Sequence, residues 1–438
     1  MQLRWHQWIA LALYRTLFTL VLLLFVLLFP LWAFTSKRRK TLLQRLGWQD
    51  YPQALSPQQP VWIHALSIGE LLSAGSLIEQ VRRVIGDRPL YLSVSTASAF
   101  AIATERFTPF CDGLFYFPYD IAFSVTRCLN KVNPALVVLI ETDIWPGFLA
   151  EIRQRQIACL LVNGRLSPES FRSYNFLRVL FQPAFNAFRW VYPQSLGESE
   201  RFRTIGLEPA RLRSIGNLKF DVALSIPGEE ALAALRQELN IPSDSRILIA
   251  GSTHPGEEDI IRSCFLKLRT EFATLRLILV PRRPERGTEV LNLFRNDGIN
   301  ATFLSHPSRS IPEVVVVDRI GYLSRLYALA DLSVVGGSFV PKGGQNPIEP
   351  AACGKPVLFG PDMHDFPDVS QWLLDAQGAV QARDEEGLYA TCRWLLSDPQ
   401  TARMMGDRAR RVVTDHQGTT LKIVHDIVNV LQEKSVLS

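Results

Sequence analysis

The chain contains no CxxC pair. Its six cysteines, Cys111, Cys128, Cys159, Cys264, Cys353 and Cys392, are scattered, and several lie inside apolar runs. That spacing argues against a zinc ribbon or a disulfide framework and predicts reduced core thiols in a reducing compartment. A strong charge bias is also missing: 47 Lys+Arg stand against 42 Asp+Glu, a net charge of +5. With no aromatic-basic repeat beside it, so mild an excess gives no reason to expect a nucleic-acid partner. There is no Walker loop, no GxSxG elbow and no Ser/His/Asp arrangement, so the familiar NTPase and serine-hydrolase signatures are absent. Low-complexity segments and short internal repeats are lacking too.

What the chain does have is length and one very apolar segment. Its 438 residues exceed one ordinary core, so two domains are expected. Leu17–Phe34 is apolar except for Thr19, and the apolar character reaches back past Arg15 to Ile9. This is long enough to span a bilayer. Lys37, Arg38, Arg39 and Lys40 follow at once, and the positive-inside rule puts the remainder of the chain in the cytoplasm. A cleaved signal peptide would need its charge before the apolar run and a small-residue cleavage site after it, which WAFTSKRRK does not offer. The expectation is a single N-terminal transmembrane helix, anchoring cytoplasmic domains to the inner (plasma) membrane.

Beyond the polar stretch Tyr51–Gln59, short apolar runs alternate with helical patterns. Strands are expected at Val61–Ala65, Leu90–Ser95, Leu114–Phe117, Ala135–Ile140, Ile157–Val162 and Val191–Pro193. GNLKFD (Gly216–Asp221) ends this half. The pattern restarts with strands at Ile247–Ala250, Leu275–Val280, Val314–Val317, Leu332–Val335 and Pro356–Phe359. From Glu385 the chain reads as helical to its end. Such alternation implies an α/β fold of two doubly wound parallel-sheet domains facing a cleft. The predicted divisions are 1–50 (anchor and basic flank), 51–221 (N-terminal domain) and 222–438 (C-terminal domain with its terminal helices).

Ligands of such sheets bind beyond the carboxyl ends of the strands, where the conspicuous motifs fall. In HALSIGE (His64–Glu70), Glu70 opens a helix; it suits either a general base or an acid balancing the helix dipole. IETDIWPG (Ile140–Gly147) places Glu141 and Asp143 at a strand end. Two such acids can hold a metal, but no third ligand cluster accompanies them, so a metal-free site is expected. Asp143 can equally cap the next helix. Lys219 in GNLKFD sits beside the presumed hinge, where an ammonium can neutralise a phosphate or carboxylate. PRRPER (Pro281–Arg286) sets Arg282 and Arg283 where guanidinium groups can grip phosphate. In GSTHPGEE (Gly251–Glu258), Ser252 and Thr253 can donate to phosphate or Thr253 can cap the helix, while His254 reads as a loop residue. The run LSVVGGSFVPKGGQNPIEP (Leu332–Pro350) offers two glycine pairs, then Asn346 as N-cap, Pro347 at the first helical position and Glu349 in the first turn. Glu349 suits a capping box or the hydroxyls of a ribose.

Taken in order, HALSIGE, IETDIWPG, NGRLS, GNLKFD, GSTHPGEE, PRRPER and GGQNPIEPAACGKPVLFGP resemble the 3-deoxy-D-manno-octulosonic acid (Kdo) transferases of lipopolysaccharide assembly, from the N-terminus to about Asp365. The resemblance implies a GT-B fold, CMP-Kdo as donor and a lipid A precursor as acceptor, with no cofactor beyond the donor substrate. Under it, Glu70 matches the proton acceptor, and Glu141 and Lys219 match transition-state stabilisers. Pro281 and Arg282, then Gly321, Tyr322 and Leu323, then Asn346, Pro347, Ile348 and Glu349 match the segments that contact CMP. Three positions depart from the family pattern: Arg283 and Gln345 stand where it has His, and Tyr322 where it has Glu. All three lie in the donor half. The expected activity is inverting transfer of Kdo to an anionic glycolipid; the rivals are a transferase of another activated sugar and a non-catalytic binding protein of the same fold.

Overall fold

In a computed structural model, the structure describes residues 4–32, 36–53, 56–142, 144–213, 216–221, 227–306 and 310–437; for 22, 23, 25–32, 36–40 and 434–437 only the backbone is described. The chain divides into two compact units, residues 1–222 with 417–438, and residues 223–416.

The first unit holds a six-stranded sheet of β1 (Val61–Ala65), β2 (Leu90–Val94), β3 (Gly113–Tyr116), β4 (Leu136–Ile140), β5 (Ala158–Gly164) and β6 (Trp190–Pro193). The order is β3-β2-β1-β4-β5-β6, and every pairing is parallel. Alternate residues feed two cores: Val61 and Ile63 pack on one face, while Trp62 packs with Phe115, Phe117 and Phe148 on the other. Burial on both faces explains why these strands read as unbroken apolar runs.

The second unit has β7 (Arg246–Thr253), β8 (Leu275–Pro281), β9 (Ala301–Phe303), β10 (Val314–Val316), β11 (Leu332–Val335), β12 (Val357–Phe359) and β13 (Ala379–Gln381). Their order is β13-β12-β11-β7-β8-β10-β9, again with parallel pairings throughout. In each sheet the order reverses at the first strand, between β1 and β4 and between β7 and β11. These switch points open a crevice at the carboxyl ends.

Two expectations need correction. The last helix, Thr419–Leu437, belongs to the first unit, where Ile423, Val424 and Ile427 pack with Leu77, Ile78 and Val81. Tyr192 Oη donates to Asp426 (2.6 Å), and Asp221 accepts the Gly418 N–H (2.6 Å), which holds the returning chain in place.

The second correction concerns the N-terminus. The apolar segment is helical from Trp5 to Trp32, but its first half lies against the first unit. Leu11 is buried, Tyr14 Oη donates to Asp120 Oδ2 (2.8 Å), Arg15 donates to the Gly147 carbonyl (3.2 Å), and Phe18 meets Trp145 edge-on. Among the described residues no helix is long and apolar enough to cross a membrane. Most side chains of the expected span, those of 22, 23 and 25–34, lie outside the described residues.

Candidate active site

In the first unit the three adjacent strands β1, β4 and β5 deliver the candidate residues. Ser67 caps the helix Ile68–Ser73 by accepting the Glu70 N–H (3.3 Å), and Glu70 Oε2 reaches back to the Leu66 N–H (2.6 Å). This reciprocal cap fixes the carboxyl group while leaving it 7% exposed. One oxygen holds the turn, so the whole group is oriented by the backbone. His64 of the same motif is a core residue: its Nδ1 lies 2.9 Å from Ser93 Oγ, and its ring stacks on Phe117.

Glu141 follows β4, on the other side of the switch point from Glu70. Its backbone is left-handed (φ 64°), as is that of Asn163 (φ 59°) at the end of β5. Side chains with a Cβ adopt this conformation at a cost of about 1–2 kcal/mol each, which the surrounding bonds must offset. Asn163 is buried and bridges the site. Its Nδ2 donates to Glu141 Oε1 (3.2 Å), and its Oδ1 accepts the Leu218 N–H (3.1 Å). Through that bond it fixes the short 3-10 turn Leu218–Phe220 carrying Lys219, whose own N–H is held by Asn217 Oδ1 (3.0 Å). The structure therefore ties Glu141 to the Lys219 turn through one amide. Asp143 lies outside the described residues, and among those described no group of three His, Cys, Asp or Glu is placed to hold a metal ion.

In the second unit the turns after β7, β8 and β11 converge. The Arg282 N–H donates to the Thr253 carbonyl (2.9 Å), which sets the guanidinium-bearing turn beside GSTHPGEE. Gly336 follows β11 so close to the Ser252 backbone that a Cβ would strike its carbonyl. Gly337 is left-handed (φ 69°), a conformation glycine adopts freely. The loop then folds back, with the Gly344 and Gln345 N–H groups donating to the Gly337 and Gly336 carbonyls (2.9 Å each).

One carboxylate holds this assembly. Glu257, fully buried, accepts the N–H groups of Gly337 (2.6 Å), Ser338, Phe339 and His254 (2.9 Å each). Burial pushes its pKa up, and the four N–H groups draw it back. His254 is surrounded by positive charge. Partial burial and then Lys342, Arg282, Arg286 and Arg283 hold its pKa below the usual imidazole range. Arg286 is neutralised by Glu258 (2.8 Å) and Glu289 (2.9 Å). Among the described residues, no carboxylate lies within ion-pair distance of Arg282, Arg283 or Lys342. An unbalanced cationic patch at strand ends suits a phosphate.

The helix expected to start at Pro347 starts at Ile348 and runs only to Ala352. Asn346 still serves its start: Oδ1 accepts the Ile348 N–H (3.1 Å) and Nδ2 donates to Glu349 Oε1 (3.2 Å). Burial raises the Glu349 pKa, while the Asn346 amide and the charge of Arg282 oppose the rise. Arg282 and Glu349 thus act on each other across this turn. Gly321, Tyr322 and Leu323 lead into the short helix Leu323–Leu326. Leu323 lies by Gly251 at the end of β7, but Tyr322 is engaged elsewhere: Oη bonds Glu238 (3.3 Å) and the Arg325 guanidinium stacks on its ring. Gln345, another departure from the family pattern, has its amide 3.4 Å from His254 Nε2.

Asn163 and Glu257 were not singled out from sequence. A lone amide closing an apolar strand, and a second acid beside Glu258 after a glycine turn, were the available signals. A cavity of about 750 Å³ lies apart from all these residues, at the amino ends of β5 and β6, where Arg153, Arg178, Arg189 and Arg211 line it.

Comparison with known proteins agrees with this arrangement. The family model described as 3-deoxy-D-manno-octulosonic-acid transferase (kdotransferase) matches residues 40–222. The 3-deoxy-D-manno-octulosonic acid transferase of Haemophilus influenzae is 29% identical over 410 residues, 92% of this chain and 94% of that protein. The Rickettsia typhi transferase of the same name is 28% identical over 401 residues, 90% of this chain and 83% of its own. Among solved structures, Neisseria meningitidis UDP-GlcNAc 2-epimerase bound to UDP-GlcNAc superposes with a TM-score of 0.57 at 13% identity, over 83% of this chain and all of that one. That likeness shows the GT-B-like fold of two parallel-sheet domains. The matched region carries Glu70, Glu141 and Lys219, and along almost its full length the chain is similar to 3-deoxy-D-manno-octulosonic acid transferases.

Proposed function

We propose that the protein transfers Kdo from CMP-Kdo to a lipid A precursor in lipopolysaccharide core assembly. The observation that carries this reading is the pairing of chemistries. One unit presents an oriented, nearly buried carboxylate at a switch point, and the other presents cations around a glycine-rich turn. Glu70 takes the proton from an acceptor hydroxyl as that oxygen forms its bond to the anomeric carbon. The bond from that carbon to the phosphate oxygen of CMP breaks, and the electron pair leaves on the phosphate. Arg282 and the turn beginning at Asn346 hold the leaving charge, with Lys219 contributing from the Asn163-fixed turn. Glu349 receives the ribose hydroxyls. Attack opposite the leaving group inverts the anomeric centre.

The acceptor is a lipid, and the apolar N-terminal segment with its basic flank supports attachment at the cytoplasmic face of the inner membrane. Mass analysis of lipid acceptors after incubation with purified protein and CMP-Kdo tests the reading. A mass gain of one or more Kdo residues is expected; no gain with CMP-Kdo, or a gain only with another nucleotide sugar, would refute it. The engagement of Tyr322 with Glu238 favours an altered nucleotide grip as the second reading, which calorimetry of CMP against UDP and GDP separates from the first.

A further inference from the structure

We propose that the cavity at the amino ends of β5 and β6 binds a small phosphorylated molecule carrying two or more negative charges, at a site separate from the one at the carboxyl ends of the same sheet. Binding there does not depend on the transfer reaction proposed above.

The cavity holds about 750 Å³, within the roughly 300–1,000 Å³ of small-molecule pockets. Besides Arg153, Arg178, Arg189 and Arg211, Arg4 adds a fifth guanidinium to its wall, and among the described residues only Glu208 and Glu433 line it with carboxylates. Both acids are already engaged: Glu433 accepts from Arg189, and Glu208 lies 2.9 Å from Arg211. Arg211 also crowds Arg153. Burial and then the charge of Arg211 hold the Arg153 pKa down, with Glu208 opposing. The Arg189 Nε–H is buried with no acceptor among the described residues, and a buried donor left unpaired is costly.

One corner of the cavity shows how its donors are placed. Gly206 follows the helix Leu196–Ile205 in the left-handed conformation (φ 101°), and a Cβ there would lie 2.7 Å from the Gln182 amide and 2.8 Å from the Arg178 guanidinium. Glycine leaves room for both donors over the backbone. Asn186 fixes the corner: its Nδ2 donates to the Gly206 carbonyl (2.9 Å) and its Oδ1 accepts the Glu208 N–H (3.1 Å).

Some of these arginines serve the fold. Arg211 donates to the Phe188 carbonyl (2.7 Å), and Arg153 lies in the last turn of the helix Pro146–Gln154, where a cation suits the dipole. Arg178 has no such role. It opens the helix Arg178–Phe185, where positive charge opposes the dipole, and no carboxylate among the described residues lies within ion-pair distance of it. A bound anion offsets that cost, and phosphate oxygens accept from several guanidinium groups at once. Ile157, Val179 and Pro183 give the organic part of the molecule an apolar wall. The strand β5 runs seven residues from here, about 20 Å, before the chain reaches the Glu141 and Asn163 end of the sheet. A molecule in the cavity therefore does not touch the reacting groups.

The test is calorimetric titration of the full-length protein with inorganic pyrophosphate, beside its Arg178→Gln, Arg153→Gln and Arg282→Gln variants. The last of these identifies any pyrophosphate held by the second unit. Affinity is expected to fall at least tenfold in Arg178→Gln and in Arg153→Gln, and the same binding event is expected to persist in Arg282→Gln. The first two substitutions lie on separate helices, so either gives the answer if the other fails to fold. Unchanged affinity in the folded variants, binding lost with Arg282→Gln alone, or no binding to the native protein would overturn the proposal. Glycerol 3-phosphate and dihexanoylphosphatidylglycerol separate the sources of the phosphate. Arg178-dependent binding of the first assigns a soluble phosphate, and Arg178-dependent binding of the second alone assigns a lipid headgroup.

Discussion

His254 reports on the positive charge gathered around it. Partial burial and the nearby Lys342 and arginines hold its pKa below the usual imidazole range. A phosphate bound among those cations would cancel part of their field and favour the imidazolium. The expected result is therefore an upward movement of the His254 pKa when CMP binds, read from imidazole proton shifts across a pH titration. An unchanged or lower value would place the nucleotide elsewhere. Asn163 makes a complementary prediction in the first unit. Asn163→Ala removes the bridge between Glu141 and the Lys219 turn and leaves the Leu218 N–H without its acceptor. A hydrogen bond to a charged group contributes about 1.5–3 kcal/mol, so kcat should fall by roughly ten- to a hundredfold. CMP affinity should stay constant, because nothing in the second unit has changed. A parallel loss of both would mean a general loss of folding.

At the scale of elements, the loop from Gly336 to Gln345 has a definite shape because one acid organises it. Glu257→Gln leaves an oxygen to accept some of the four N–H groups but turns an NH₂ toward the others. Buried donors without partners cost about 1–3 kcal/mol each. The variant should lose roughly 2 kcal/mol of stability, a Tm drop of roughly 4–8 °C, and should bind CMP less tightly. Calorimetry of both transitions checks this; a variant with native Tm and CMP affinity would show that the loop is held by other means.

Much of this layer was legible in the sequence, because strands buried on both faces appear as apolar runs that stop at glycine, proline or acid. The eleven expected strands are all present. The two that were not expected, β9 (Ala301–Phe303) and β13 (Ala379–Gln381), are sheet-edge strands of three residues, too short to carry a period. Asn346, Pro347 and Glu349 gave a sound helix start displaced by one residue. The four-donor grip of Glu257 was not legible, since it joins residues about eighty positions apart.

At the scale of the whole molecule, local pattern had least to say. The helix Thr419–Leu437 follows a continuous helical stretch, and nothing in its sequence names the unit it packs on; Asp221 and Tyr192 decide that. The apolar N-terminus is similar. Its composition alone fits a transmembrane span, and only the bonds at Tyr119 and Asp120 show that both flanks of the segment pack on the first unit.

The central claim is that a single carboxylate of the first unit accepts the proton while the second unit holds the nucleotide. It is tested most directly by Glu70→Gln, which keeps the size of the side chain and can retain the bond to the Leu66 N–H through its amide oxygen. Measured side by side, Kdo transfer should fall by about a hundredfold to ten-thousandfold with an unchanged Kd for CMP. Transfer that persists near the native rate, or a Kd that weakens in step with the rate, would contradict the account.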